Sequence, residues 1–320
     1  MPQSIRVEDL HKRYKNHHAV RGVSFHVEQG EIFGIVGPNG AGKTTTIEIM
    51  EGLRKRDSGF VQVLGLDPDK EPLELRQRIG VQFQSTSIQE RMKVKEAISL
   101  FASFYRKRGN VDKIVHDLGL DGMLDKQFKD LSGGWKQRLT LALAVIHDPE
   151  IVFLDEPSTG LDPQARRELW ELILQLREDG KTIVLTTHYM EEAERLCDRV
   201  AMFNQGKVVA LDSPKRLVTK LAATNYLSFE SETADVALIR TLPGVERAER
   251  QNGTVRVYSA SLQEASFHLF QLAYENKWKI EAFRWEVGSL DDLFVYMVEK
   301  EWSHGSAGTP GVDGNQAVLS

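Results

Sequence analysis

The chain holds one cysteine, Cys197, among 320 residues. No internal disulfide can form, which suits a reducing compartment. Long apolar runs are missing too. The longest, Leu139 to Ile146, is broken by Thr140 and is too short to cross a bilayer. Any membrane role must therefore come through a partner. Basic charge is not in excess: the formal net charge is −5, so there is no electrostatic footprint for nucleic acid. The opening Met1-Pro2-Gln3-Ser4 lacks the apolar segment of a secretion signal. What is present is an ordinary apolar fraction, 41 %, and a length that suggests one large domain and a smaller one.

The stretch that organises the rest is Gly37-Pro38-Asn39-Gly40-Ala41-Gly42-Lys43-Thr44. It fits the phosphate-loop pattern G-x-x-x-x-G-K-[ST]. Glu31 to Val36 before it is apolar and β-rich, and Thr45 to Met50 after it continues as a helix. A strand, then glycines, then a helix N-terminus makes an anion site: free N–H groups converge and the helix dipole favours negative charge. Glycines keep Cβ atoms out of the way of a close phosphate. Lys43 reaches terminal phosphates and the Thr44 hydroxyl suits Mg²⁺. A chance match is expected in about one such chain in a hundred at ordinary residue usage.

Around it, the chain alternates like a small antiparallel sheet over Ile5 to Leu10 and Val23 to Val27, with Tyr14 in a polar turn between. Tyr14 is either a packing aromatic or a ring that stacks on a base. Gly59 to Val63 and Ile79 to Phe83 read as short strands. Gln84 ends the second, where α/β sheets place ligands, and is either a local hydrogen-bonder or part of a Mg²⁺ shell. Helical periodicity follows over Val94 to Arg108 and Val111 to Leu118. Leu131-Ser132-Gly133-Gly134 then starts the helix Lys136 to Ile146, either as a plain cap or as a second anion site. Ile88, Met92 and Val94 serve equally as a partner groove or as subdomain core.

Ile151 to Leu154 is an apolar strand ending in Asp155-Glu156. Two acids there are costly unless a cation or catalysis uses them: Asp155 for Mg²⁺, Glu156 for orienting and polarising water. Asp162, before Pro163, reads as a helix cap. Thr182 to Thr186 is a further strand ending at Thr187-His188, and His188 beside the two acids suits a γ-phosphate contact.

In this order the motifs resemble an ABC transporter ATPase subunit, over about Ile5 to Lys220. Gly37 to Thr44 is similar to its Walker A loop, Gln84 to the Q-loop, Leu131 to Gly134 to the signature, Ile151 to Glu156 to Walker B, Ser158 to Asp162 to the D-loop and His188 to the switch histidine. Trp135 departs from the family, which usually has glutamine after the signature glycines. The resemblance implies a P-loop NTPase ABC cassette: an α/β fold with a mixed core sheet, an N-terminal antiparallel β subdomain and an inserted helical subdomain at about 85–149. It implies ATP and Mg²⁺ as ligands. Glu156, His188, Gln84 and Lys43 are the catalytic set. Tyr14, Gly37, Asn39, Gly40, Ala41, Gly42, Lys43, Thr44, Thr45, Ser132, Gly133, Gly134 and Asp162 are the nucleotide contacts. Thr44, Gln84 and Asp155 are the metal set. It further implies a second ATPase subunit, equal or different, an integral-membrane permease and a place on the cytoplasmic membrane face. Trp135 to Arg138, Asp155 to Arg167 and Gly288 to Phe294 are similar to bacterial drug and antibiotic exporters with separate permeases. Soluble ABC ATPases acting on ribosomes or DNA, and importer subunits, are the alternatives.

The ATPase domain is expected over 1–222 and a second, regulatory or dimerisation domain over 223–300. In the second, strand, helix, strand, the Asn252-Gly253 turn, strand, helix and strand give βαββαβ, a small ferredoxin-like α+β unit. Ala234 to Leu242 and Leu290 to Lys300 are its first and last expected helices. The tail, 301–320, is rich in Gly and Ser and reads as disordered.

Overall fold

The computed structural model describes residues 2–83, 88–107, 109–220, 225–286, 288–295 and 297. The expected tail and the predicted site residue Gln84 lie outside them. Contacts divide the chain into two units, Met1–Lys220 and Leu221–Ser320.

The first unit begins with a hairpin, β1 (Gln3–Tyr14) and β2 (His17–Glu28). Alternation buries Ile5, Val7, Val23, Phe25 and Val27 on one face. Both strands are longer than the sequence suggests. Tyr14 is the last residue of β1, paired with His17, rather than part of a turn outside it. β3 (Ile32–Val36) is buried along its whole length and leads into α1 (Lys43–Met50). β4 (Ser58–Val63) then returns to the other edge of β1, with Val7 opposite Val61, giving the order β2-β1-β4.

The core sheet adds β5 (Ile79–Gln82), β6 (Ile151–Asp155), β7 (Thr182–Thr187), β8 (Arg199–Asn204) and β9 (Lys207–Asp212), in the order β5-β6-β7-β3-β8-β9. All pairs are parallel except β8 with β9. β3, β6 and β7 read as continuous apolar or Thr-containing runs because both faces are covered. Their carboxyl ends lie side by side, which is where such sheets bind ligands.

Between β5 and β6 the chain forms α2 (Val94–Ala102), α3 (Val111–Asp117) and α4 (Gly133–Val145). α2 stops six residues before the expected Arg108. Its buried stripe, Val94, Ala97, Ile98 and Ala102, ends there, the Ser103 hydroxyl closes on Leu100 O at 2.6 Å, and Tyr105 is held by stacking on His147. α4 begins three residues before the expected Lys136, because Ser132 is itself the N-cap. α5 (Pro163–Glu178) starts behind Asp162.

The second unit is a four-stranded antiparallel sheet of β10 (Tyr226–Glu230), β11 (Val245–Gln251), β12 (Thr254–Ser259) and β13 (Glu281–Glu286), ordered β11-β12-β10-β13. A short helix, α6 (Val236–Ile239), follows β10, and α7 (Leu262–Glu275) follows β12. This is the strand order of a ferredoxin-like βαββαβ unit. Asn252 and Gly253 both take positive φ, 49° and 84°, as a tight hairpin requires. α6 is shorter than the expected Ala234 to Leu242. Asp235 caps its start, accepting from Ala237 N at 2.8 Å, and Pro243 keeps Leu242 out of a helical conformation. Residues 290–295 are helical, within the expected Leu290 to Lys300.

Candidate functional site: the phosphate loop and two strand-end acids

The phosphate loop runs from the end of β3 to the start of α1. Two of its glycines are fixed by the protein's own backbone rather than by space left for a ligand. A Cβ at Gly37 would come within 2.2 Å of Phe203 O, and one at Gly42 within 2.4 Å of Ala19 O, at φ of 150° and 101°. Gly40 has open space around it but a φ of 80°, so its constraint is conformational. Asn39 and Gly40 are exposed and Ala41 is buried. The first intrahelical bond of α1 is Thr46 N to Gly42 O at 3.0 Å. That leaves the N–H groups of Lys43, Thr44 and Thr45 without intrahelical acceptors.

Lys43 is buried, 5 % exposed. Its ammonium donates to Gly37 O at 2.8 Å and Pro38 O at 3.2 Å, and lies 3.7 Å from Glu156 Oε1. Burial pulls its pKa down, while Glu156 and Asp155 oppose that shift. The cation is thus held over the loop by two carbonyls and one carboxylate, in reach of any anion the loop admits.

Asp155 and Glu156 follow β6 and are both buried. Thr186, opposite Asp155 in the β6–β7 register, organises them. Its hydroxyl donates to Asp155 Oδ1 and accepts from Glu156 N at 3.0 Å. Burial raises the Asp155 pKa, the Thr186 hydrogen bond works against that, and the neighbouring Glu156 charge adds to it. The Thr44 hydroxyl stands 3.5 Å from Asp155 Oδ1. Glu156 has a φ of 50°, uncommon for a non-glycine residue. That conformation turns its carboxylate back across the strand end, between Lys43 and His188 Nδ1, the latter 3.2 Å from Oε2. Thr159 Oγ1 donates to the same oxygen at 3.2 Å.

The fold therefore brings Lys43, Thr44, Asp155, Glu156 and His188 together. Tyr14 stands apart, half-buried against the core, with the Arg54 and Lys12 cations 5.2 and 5.6 Å from its ring centroid. Ser132, Gly134 and Asp162 meet around a different depression, shared with Trp135, Arg138 and Glu168, and no phosphate-loop residue lines it. Ser132 is exposed and its hydroxyl makes no cap bond. Gly133 opens α4 beside it. Asp162, by contrast, acts as the cap expected of it, accepting from Gln164 N at 3.0 Å and Ala165 N at 2.9 Å. Thr186 is not foreseen from the sequence. Its signal there is no more than a threonine at the end of an apolar strand, and its partner is 31 residues away.

Of the three residues that serve equally as partner groove or subdomain core, Met92 is half-buried and the other two are buried. Ile88 is 8 % and Val94 0 % exposed, which favours the core reading for these two. An apolar groove of about 380 Å³ lies elsewhere in the first unit, among Leu53, Leu73, Phe83, Phe101 and Phe104, with Glu51 on its wall.

A family model described as ABC transporter matches residues 20–159. The Nod factor export ATP-binding protein I of Burkholderia pseudomallei (strain 1710b) is 42 % identical over 259 residues, 79 % of this chain and 85 % of that protein. The protein of the same name from Paraburkholderia xenovorans (strain LB400) is 36 % identical over 307 residues, 94 % of this chain and 99 % of that one. Among solved structures, a dimeric post-hydrolysis ATP-binding cassette bound to ADP and Pi is 26 % identical, with a TM-score of 0.59 over 65 % of this chain and 98 % of that one. With the phosphate loop and strand-end acids in place, these likenesses decide the matter: the chain belongs to the ABC transporter family, as an ATP-binding subunit that hydrolyses ATP.

Proposed function

We propose that this subunit powers export through a separate membrane permease, by closing on ATP against a second ATPase subunit and opening after hydrolysis. The observation that carries the reading is the Glu156 carboxylate, placed between Lys43 at 3.7 Å and His188 at 3.2 Å. One buried acid is thus poised beside both the cation of the phosphate loop and an imidazole. Glu156 orients and polarises the attacking water. His188 contacts the γ-phosphate and keeps Glu156 in place. Lys43, with the backbone N–H groups of Asn39, Gly40, Ala41, Gly42, Thr44 and Thr45, holds the phosphates, Gly37 lets the loop turn, and Tyr14 stacks on the adenine.

The Thr44 hydroxyl and the desolvated Asp155 carboxylate, 3.5 Å apart, are oxygen donors of the kind Mg²⁺ takes. Among the described residues no group of three or more His, Cys, Asp or Glu could hold a metal. Bound there, with Gln84 as a further ligand, Mg²⁺ would neutralise phosphate charge.

Ser132 with the Gly133 and Gly134 N–H groups, and Asp162 at the same depression, meets the ATP held by the other subunit. Hydrogen bonds to charged groups are worth about 1.5–3 kcal/mol each. Swinging a two-state equilibrium from 1:99 to 99:1 takes about 5.5 kcal/mol. A few bonds to the γ-phosphate in two sites suffice, and ADP cannot make them. The dimeric relative bound to ADP and Pi supports this arrangement.

Among the described residues no helix is long and apolar enough to cross a membrane. The permease is a separate chain, and this subunit sits on its cytoplasmic side. The apolar groove is its docking surface. Leu73 is 76 %, Phe104 60 % and Phe83 46 % exposed along it. Relatives that match this chain over most of their length are named as export subunits, which favours export over import or a soluble role on ribosomes or DNA. Nucleic acid is not among its partners. The second unit, with the boundary near residue 222, is a regulatory or dimerisation domain.

The decisive experiment is Glu156→Gln with saturating ATP, followed by light scattering. A stable ATP-bound dimer is expected, with hydrolysis down about a hundredfold or more, the scale of losing a positioned base. A monomer under those conditions removes the closure mechanism.

A further inference from the structure

Glu51 ends α1, two turns beyond the phosphate loop, among Ile47, Ile49 and Met50. It is 2 % exposed. Its N–H donates to Ile47 O at 2.9 Å, but its carboxyl has no hydrogen bond or ion pair among the described residues. It lies instead on the wall of the apolar groove. An unpartnered buried acid is expensive, and neither ATP binding nor hydrolysis makes use of it.

The surroundings specify what such a carboxyl lacks. Burial pushes its pKa well above the ordinary carboxylate range, and the acidic charges of Asp155 and Glu48 add to that, so the carboxyl keeps its proton while the groove is empty. Neither nearby cation is paired with it. Arg54 is paired with Glu48 at 2.6 Å, and the Arg76 guanidinium donates to Gly52 O at 3.0 Å. Around this carboxyl the groove offers Leu53, Leu73, Phe83, Phe101 and Phe104. An apolar occupant fills the groove but leaves the carboxyl unsatisfied. An acidic occupant adds a second carboxyl with the same cost of burial. A cation brought in on an apolar segment favours the ionised form, so the carboxyl gives up its proton and pairs by a charge-assisted bond in a water-poor setting, where such bonds are strong.

We propose that Glu51 makes the groove selective for an apolar helix of a membrane subunit that carries one Lys or Arg side chain able to reach it. This rests on the exporter reading for the identity of the partner and adds the chemistry by which that partner is chosen. Glu51 acts by pairing with the right segment, a gain that segments without a cation cannot make.

The test places a photocrosslinking benzoylphenylalanine at exposed Leu73 of the full chain, in native membranes. The adduct is sequenced by mass spectrometry. The expected adduct lies on an apolar segment of a polytopic protein, with a Lys or Arg within about one helical turn. Glu51→Gln, which keeps shape and cannot ionise, is expected to lower the yield at least fivefold with ATP affinity unchanged. Glu51→Lys is expected to abolish the adduct, and exchanging the partner's basic residue for Glu to restore it. An adduct on a membrane segment without a basic residue, or a yield indifferent to Glu51→Gln, overturns the Glu51 assignment alone. An adduct on a soluble protein, or none, overturns the exporter reading with it.

Discussion

Two helix N-termini of the first unit offer N–H groups to an anion, and they are unlike each other. At α1 the donors stand beside a buried lysine, two buried acids and a histidine. At α4 they stand beside an exposed serine, with Trp135, Arg138, Asp162 and Glu168 around the depression. There the charged groups are already engaged: Arg138 pairs with Glu168 at 2.7 Å, and Asp162 caps α5. The first turn has the groups for chemistry. The second has donors and no chemistry of its own. In the proposed dimer each is half of a nucleotide site, and the second subunit completes both.

The comparison breaks most visibly if the first turn is disabled. Lys43→Ala should abolish ATP binding in a nucleotide titration, because the loop loses its buried cation. Glu156→Gln should keep ATP binding and lose hydrolysis, about a hundredfold or more. Equal ATP affinities in Lys43→Ala and the parent would mean that the loop does not hold the phosphates.

Disabling the second turn should have a smaller and different effect. Ser132→Arg leaves the phosphate loop intact, so ATP affinity of the isolated subunit should stay within about twofold. The loss of one charge-assisted bond per site, about 1.5–3 kcal/mol, should weaken closure and lower hydrolysis by about ten- to a hundredfold. Monomer ATP affinity that falls as far as hydrolysis would show that both turns serve one nucleotide within a single chain.

Acid should reach the second turn's helix from its far end. His147, just beyond α4, is 1 % exposed; its Nε2–H donates to Ile79 O at 3.0 Å, and its ring lies flat on Tyr105. Burial pulls its pKa down to about 4, from an ordinary value of 6.5. The folded pKa is the lower one, so the unfolded chain takes up the proton first as pH falls. The neutral ring's contribution is complete above about pH 6.5 and is lost between there and about pH 4, by about 3 kcal/mol. In urea unfolding, the stability difference between the parent and His147→Gln should shrink by that amount from pH 7 to pH 4. A difference that stays constant with pH would mean that the imidazole titrates normally in the fold.

The first turn is legible in the sequence because everything in it is local: a strand, glycines at fixed spacing, and Lys43 and Thr44 opening a helix. Asp155, Glu156 and His188 are legible as polar residues stopping apolar strands. Thr186 is not, since its role exists only once β6 and β7 are in register. The place of the apolar groove is not legible either, for a related cause. Ile88, Met92 and Val94 are as apolar as Leu73 and Phe104, and composition does not say which set faces water. That depends on which helix the rest of the chain leaves uncovered. In the second unit the strand order is legible from alternation and the Asn252-Gly253 turn. Its first helix is overextended by periodicity alone, because the apolar pattern runs on to Leu242 while Pro243 stops the backbone short of it.

The smallest effect is expected at Trp135. It is the third residue of α4, and the first intrahelical bond there is Lys136 N to Ser132 O at 2.9 Å. The Trp135 N–H is thus among the free donors of the turn whatever its side chain is. The indole itself is occupied from the side, with the Arg138 guanidinium 5.0 Å from its ring centroid. What the phosphate needs from this position is backbone, and backbone is unchanged by substitution. Trp135→Gln, which restores the usual residue of the family, should therefore change the hydrolysis rate of the dimer by less than about tenfold, or about 1.4 kcal/mol. A hundredfold gain would mean that the side chain at this position reaches the nucleotide, and that the second turn contributes more than N–H groups and one hydroxyl.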